Sequence, residues 1–253
     1  YSSFSIPPIL KGFQLKKLEL MDFYANASIL TLNGVRIRGV NFEIGNGKLY
    51  FGYCGGKINS NGANVFSWNQ NTWNKSGTIH SFRAGIGDLD KSYIGVMFQS
   101  SKPAIYDSAL AHSPILENIA FGVQGRVNLG LNFYILFKQA FSRSTTTFES
   151  TSKREFSISE IIKNGYTSAT FINLNGVVPK FNTEINSTFR RDGLLYYSDG
   201  ISNNRKDCYR FDIKVQQPFI KGKLRVSIAM RFDQDNLSGI KLMTNKTSTL
   251  DGG

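Results

Sequence analysis

The residue types that most often carry chemistry are few in this chain, and they stand apart from one another. His80 and His112 are its only two histidines. Neither has a second ligand at the HExxH or CxxC spacing that would hold a zinc ion. Gly52-Tyr53-Cys54-Gly55-Gly56-Lys57 has the glycines and lysine of a phosphate loop, but Ile58 stands where the Mg²⁺-binding Ser or Thr belongs and the spacing is short. Gly55-Gly56 read better as the point where a strand releases into a loop. Asp233, Asp235 and Asn236 offer oxygens to Ca²⁺, yet Leu237 fills a ligand position and Gly239 comes late for an EF-hand. Turn capping, with Asp233 paired to Arg210, is the reading they support, and Asp88 and Asp90 are turn residues in the same way. No G-x-S-x-G nucleophile motif occurs. The expectation is a protein without catalytic, cofactor-binding or metal residues, and not an enzyme.

The elements that would position any such group are strands. Aromatic residues make up 13% of the 253 residues, with 20 Phe and 11 Tyr, and 24 Gly supply turns. Aromatic and β-branched side chains suit a pleated surface. No apolar run reaches the ~20 residues of a membrane-spanning helix. The longest candidate, Leu129 to Phe137, is interrupted by Gly130 and Asn132. A spanning strand needs only about 9–11 tilted residues with alternate ones apolar, which hydropathy does not detect. The net charge of +12 admits nucleic acid, anionic lipid or an anionic solute as partner. The basic residues are scattered singly rather than in blocks, which argues for a solvated face and against nucleic acid. Cys54 and Cys208 fall far apart in the strand pattern and make no disulfide framework, although an exported protein permits a bond between them.

Strand-like segments come in pairs, each closed by a short turn and followed by a long polar stretch. Asn46-Gly47 signals a two-residue hairpin that sets Ile44 opposite Leu49, Phe42 opposite Phe51 and Val40 opposite Tyr53. Asn41, Glu43, Tyr50 and Gly52 take the other face. With Lys221-Gly222 as a turn, Phe219 faces Leu224, Val215 faces Ile228, Ile213 faces Met230 and Phe211 faces Phe232. The same register sets Asp212 against Arg231 and Arg210 against Asp233, and a one-residue slip would lose both pairs. His80–Ile86 with Ile94–Phe98 turn at Asp88–Lys91. Ile119–Val127 with Leu131–Phe137 turn at Asn128-Leu129-Gly130. Ile172 and Leu174 face Thr183 and Phe181 across Gly176–Pro179. The long segments are Gly55–Gly77, Ser101–Leu116, Ser142–Tyr166, Arg191–Asp207 and the stretch after Gln234.

The N-terminal forty residues follow the rule less closely. Asn33-Gly34 suggests a hairpin of its own, with Leu32 on Val35 and Leu30 on Ile37, and a bulge near Gly39 where the apolar phase flips. Residues 1–27 are expected to be an extension, plug or edge segment and residues 28–253 the strands and loops. The chain starts at Tyr1 without a leader, and its tail, Thr247 to Gly253, reads as lacking a finishing strand; a longer parent protein is expected.

Alternation of short and long connections is the habit of outer-membrane barrels, which have short periplasmic turns and long extracellular loops. The fold expected is all-β: an antiparallel up-and-down transmembrane barrel of at least ten strands, itself part of a larger one. Strands of about ten residues, longer than the usual 5–6, support this over a sandwich. The inner face would carry Arg83, Arg126, Lys138, Arg190, Arg210, Asp212, Lys214, Arg225, Arg231 and Asp233. Tyr50, Tyr53, Tyr93, Tyr134, Tyr196 and Tyr197 mark interfacial girdles on one reading and ordinary strand composition on the other.

A resemblance accompanies this pattern. It rests on Arg190-Arg191-Asp192-Gly193, Tyr197-Ser198-Asp199-Gly200, and Asn204 with Asp207 before the strand Tyr209–Gln217. Gln217-Pro218-Phe219 and Asp233-Gln234-Asp235-Asn236-Leu237-Ser238-Gly239 with Lys241 continue it, as does Gly34-Val35-Arg36-Ile37-Arg38-Gly39-Val40-Asn41-Phe42-Glu43-Ile44. Over about half of its length the chain resembles the large outer-membrane β-barrel proteins of the Bacteroidetes type. The resemblance implies an outer-membrane location, and by analogy a place in a secretion, gliding or barrel-assembly machine. It also implies O-glycosylation at Ser108 within Asp107-Ser108-Ala109. The function expected is a structural subunit of an outer-membrane complex, or a pore with a positively charged lumen. Its partners would be outer-membrane lipid, lipopolysaccharide and other outer-membrane proteins. The alternative is a secreted all-β binding module for glycans or another anionic polymer; a hydrolase with its site on the barrel rim is a third, weaker reading.

Overall fold

The computed structural model describes residues 12–58, 77–89, 91–103, 117–130, 132–145, 167–198, 200–201, 206–219, 224–240 and 242–252. Among them every regular element is a strand: β1 (Gln14–Ser28), β2 (Leu32–Gly45), β3 (Leu49–Ile58), β4 (Gly77–Gly87), β5 (Tyr93–Pro103), β6 (Glu117–Gly130), β7 (Phe133–Thr145), β8 (Ser168–Val178), β9 (Thr183–Asp192), β10 (Gly200–Ile201), β11 (Cys208–Phe219), β12 (Leu224–Asp235) and β13 (Lys246–Gly252). Twelve of these form one antiparallel up-and-down sheet in chain order, and the two-residue β10 adds a short parallel pairing to β2. The fold is the all-β sheet expected from the sequence. It is open, with β1 and β13 at its two ends and no ladder joining them among the described residues.

Connection lengths alternate as the sequence predicts. Residues 46–48, 88–92, 131–132, 179–182 and 220–223 join strands at one end, and 59–76, 104–116, 146–167, 193–207 and 236–245 at the other. The link 29–31 between β1 and β2 is the one short connection at the long-loop end.

The β11–β12 register is the predicted one, with Phe211 on Phe232, Asp212 on Arg231 and Arg210 on Asp233. Three other turns sit elsewhere than expected, each for a local reason. In β2–β3 the central pair is Gly47-Lys48, because Gly47 takes φ 80° while the Asn46 side-chain oxygen accepts from the Lys48 and Leu49 amides at 3.0 and 2.7 Å. Ile44 therefore meets Phe51 and Phe42 meets Tyr53, and the faces are unchanged. In β6–β7, left-handed Gly130 (φ 83°) and Asn132 (φ 64°) move the turn past Asn128. In β8–β9, Pro179 takes the second position of a turn in which the Phe181 amide donates to the Val178 carbonyl at 3.2 Å. Gly176 consequently stays in the strand and Ile172 faces Phe189. The Phe133 ring lies over Gly176, where a Cβ would come within 2.0 Å of it.

The Asn33-Gly34 hairpin is corrected: both residues lie inside β2. Of the alternatives for the N-terminal segment, its described part, Gln14–Ser28, is an edge strand paired to β2. The apolar phase flips without a bulge at Gly39, since the β2–β3 ladder passes through that residue unbroken. The cause is packing: Val35 and Ile37 turn inward onto Phe23, Ala25, Ala27, Leu32, Cys54 and Ile79, whereas Val40, Phe42 and Ile44 turn outward. The register shifts lie elsewhere in the β1–β2 ladder, with extra residues at Lys16 and Ala27 of β1 and at Gly34 of β2. The tail is also a strand, β13, contrary to expectation.

The sheet is strongly curled. From Asp192 at the end of β9 to Gly200 on β2 the chain spans eight residues, at most about 29 Å when extended. The same two strands are seven ladders apart along the sheet, about 34 Å at ~4.8 Å per strand. The short segment cuts across the arc. Contacts such as Thr31 Oγ1 donating to Met97 Sδ at 3.5 Å, from the β1–β2 link to β5, show the same curvature.

Candidate functional site

The two faces of the curled sheet have opposite chemistry, and the sheet is inside out. On the concave side Asn41, Ser81, Gln99, Asn118, Gln124 and Ser142 are buried. On the convex side Ile86, Ile94, Val96, Phe98, Met230 and Phe232 are exposed, Val96 by 58%. Strand alternation produces both sets at once, because successive side chains of β4, β5 and β6 point to opposite faces. Among the described residues no second layer of protein covers the outward rows.

The convex face is zoned. One ladder level carries an aromatic residue on six successive strands: Phe42, Tyr53, Phe82, Phe98, Phe121 and Phe141. Ring centroids along it lie 5.8 Å apart for Phe42 and Tyr53, 4.9 Å for Tyr53 and Phe82, and 5.3 Å for Phe121 and Phe141. Two levels lower, Phe137, Phe189, Phe211 and Phe232 form a second aromatic row across the later strands, with Ile172 on β8 between. Toward the short turns the levels of β2 to β6 are apolar, with Ile44, Phe51, Ala84, Val96 and Val123 on the next one. Toward the long loops they turn polar, with the Lys102–Glu117 pair at 2.8 Å and Arg38 on Asp22 at 2.9 Å.

The six tyrosines named above do not form this border. Tyr50, Tyr93 and Tyr134 share the concave face, and Tyr196 is buried inside; only Tyr53 joins the aromatic level. Phenylalanines do that work, and the local cue is the charged residue directly next to Phe82, Phe137, Phe189, Phe211 and Phe232, which strand alternation sends to the opposite face.

All ten charged residues assigned to an inner face lie on the concave side by register. Several are paired there: Arg83 with Glu43 at 2.5 Å, Arg210 with Asp233 at 2.7 Å and Arg231 with Asp212 at 2.5 Å. Arg190 reaches Asp192 at 2.7 Å. The Arg126 guanidinium packs 4.0 Å over the Tyr134 ring and donates to Asn128 Oδ1 at 3.3 Å. Lys214 and Arg225 are exposed on β11 and β12.

A segment that the sequence pattern assigns to a long loop, residues 193–198, folds into the long-loop end of the concavity. Tyr196 donates to the Leu30 carbonyl, and Ser198 Oγ donates to the Thr31 carbonyl at 2.6 Å. Gln99 Nε2 donates to Ser198 Oγ at 2.9 Å, Asn118 Nδ2 to the Tyr197 carbonyl at 2.9 Å, and the Tyr197 amide to Ser142 Oγ at 2.9 Å. Leu30 and Tyr196 pack on Ala140, Ala169 and Phe171. Burial first, then the charge of Asp192, pushes the Tyr196 phenol up, so it stays a donor.

The earlier candidates for chemistry resolve simply. His80 Nδ1 is 2.9 Å from the Tyr53 hydroxyl on the convex face, and no cluster of metal-ligating side chains exists among the described residues. Asp235 accepts from the Asn245 amide at 2.7 Å, and Asn236 donates to the Met243 carbonyl at 3.3 Å, a capped turn. Cys54 and Cys208 are not joined in a disulfide. Ser108, His112, Asp90, Lys221-Gly222 and most of the long segments lie outside the described residues. No family model, curated protein or solved structure matches the chain.

Proposed function

We propose that the chain is a β-barrel protein of a bacterial outer membrane, of the kind its sequence resembles in Bacteroidetes, serving as a structural subunit of an outer-membrane complex. The observation that carries this reading is the exposed apolar convex face bordered by an aromatic level on six successive strands. Aromatic girdles flank the apolar band of spanning barrels at the membrane surface, and hydrocarbon is the solvent in which such a face is stable. The polar concave face then encloses water. The long loops lie outside the cell and the short turns in the periplasm.

The in-folded segment favours a subunit over an open pore, because it occupies the long-loop end of the concavity. The reading assigns the chain no reaction, and its partners are outer-membrane lipid, lipopolysaccharide and neighbouring outer-membrane proteins. Fractionation of expressing cells with a sodium carbonate wash tests it. The protein should stay in the membrane pellet and migrate on gels in a heat-modifiable way. Release into the soluble fraction would replace this reading with a secreted binding module.

A further inference from the structure

We propose that Arg36, Arg38 and Lys57 bind the phosphate of a membrane lipid whose acyl chains lie on the aromatic level below them. The proposal deepens the barrel reading and rests on the convex face meeting lipid.

The three cations stand together on that face. Arg36 and Arg38 reach the same carboxylate oxygen, Asp22 Oδ2, at 3.4 and 2.9 Å. Lys57 on β3 is the direct ladder partner of Arg38, which sets their Cβ atoms about 4.5–5.5 Å apart. Across its other ladder Lys57 faces Thr78, a neutral residue. Among the described residues Asp22 is the one acid at this spot, and two guanidinium groups already share it. Like charges directly opposite each other destabilise a ladder. Three cations on one carboxylate therefore leave a place where an anion is stabilising, and guanidinium groups suit phosphate oxygens.

A second, independent observation is the depth of the group. Arg38 and Lys57 stand two levels above Phe42 and Tyr53 of the aromatic level, toward the long loops. Between Tyr53 and Lys57 on the same face lies Gly55, and a Cβ built there would come 2.3 Å from the Tyr53 hydroxyl oxygen. The Tyr53 ring thus lies over Gly55 and aims its hydroxyl up the strand toward Lys57, 2.9 Å from His80 Nδ1. Along β3 the surface passes from rings to a phenol hydroxyl and then to cations. A phosphorylated lipid has the same order, chains first and charge above, and basic groups at the edge of an apolar band attract anionic headgroups. A free phosphate ion would leave the apolar half of this surface unused. On the barrel reading the long-loop end is the outer surface, so the occupant is the phosphorylated lipid part of lipopolysaccharide.

The test is native mass spectrometry of the full chain in nonionic micelles titrated with diphosphoryl lipid A. Saturable binding is expected, weakened about tenfold or more by Arg38→Gln with Lys57→Gln, as for loss of charged hydrogen bonds. Lys57→Arg should retain it, and Lys214→Gln, on the concave face of β11, should leave it unchanged. Dephosphorylated lipid A and inorganic phosphate should each bind more weakly than the intact lipid. Absence of saturable binding overturns the site, as does equal binding by a double variant that keeps its heat-modifiable migration. Equal binding of dephosphorylated lipid A or of inorganic phosphate overturns the phosphorylated lipid as occupant. If the double variant does not fold, Lys57→Gln alone serves, since Lys57 is exposed: weaker binding supports the site and unchanged binding overturns it. Lipid A bound through Lys57 by a chain that carbonate releases would keep the site and sink the membrane reading. A chain that stays in the pellet while its variants bind like the wild type would sink the site alone.

Discussion

The hydroxyl of Tyr50 lies against Gly95: a Cβ built on that glycine would stand 1.9 Å from the hydroxyl oxygen and 2.6 Å from the carbonyl oxygen of Ala84. Gly95→Ala should therefore destabilise by about 1–3 kcal/mol, the usual cost of overpacking. Adding Tyr50→Ala should recover only part of the loss, because the Ala84 carbonyl remains in the way. Urea midpoints of the single and double variants in micelles measure both.

Glu43 and Arg83 are both largely buried, with side chains 20% and 14% exposed and 2.5 Å apart. Arg83 also donates to the Ala27 carbonyl at 3.1 Å, tying β4 to β1. Glu43→Gln leaves a guanidinium without its counter-charge and should cost about 3–5 kcal/mol. The Glu43→Gln, Arg83→Met double variant should be more stable than Glu43→Gln alone. A double variant no better than the single would remove the pair from the account.

Val96 lies mid-strand on the convex face, among Ala84 on β4 and Val123 on β6. Facing hydrocarbon, Val96→Arg should cost roughly 2–4 kcal/mol and lower the amount of folded protein in the membrane. Facing water, the same change at an exposed site would stay within about 0.5 kcal/mol. The folded fraction on a gel run without heating distinguishes the two.

Gln99→Ala with Ser198→Ala removes the hydrogen bond that ties the in-folded segment to β5, and with it the one from Ser198 to Thr31. Each orphaned partner costs about 1–3 kcal/mol locally. The expected result is faster proteolytic cutting within residues 193–201 and a conductance in planar bilayers larger than that of the wild-type chain. Identical conductance would mean the segment does not gate the concavity.

The Arg210–Asp233 rung, partly exposed, should behave as a cross-strand pair. Arg210→Glu should cost from a few tenths to ~1 kcal/mol, and Arg210→Glu with Asp233→Arg should restore most of it. Thermal midpoints at low and high salt check the reading, since salt should shrink the difference.

What could be read directly from the sequence was whatever alternation and turn chemistry encode locally. The β11–β12 register followed from matching Phe211 to Phe232 and Asp212 to Arg231, two independent constraints on one alignment. Where only a turn residue was available, the reading slipped. Asn46-Gly47 and Gly176–Pro179 each contain residues that suit more than one turn position, and only tertiary packing, such as Phe133 over Gly176, chooses among them. The aromatic level was invisible because it joins residues from six separate strands, and a level exists only once every register is fixed. The fold of residues 193–198 inward was hidden for the same reason. Its polar side chains look like any loop until Gln99, Asn118 and Ser142 are placed opposite them.

One feature of the sheet reaches beyond its present strands. β1 runs toward the long-loop end and β13 runs away from it, so the two outermost ladders point in opposite senses. Zipping them together would give an antiparallel seam with no leftover polarity. Anything inserted between them must therefore arrive as whole hairpins, an even count each time. By this parity rule the architecture can widen its circumference modularly, one up-and-down unit after another, while every existing register stays as it is.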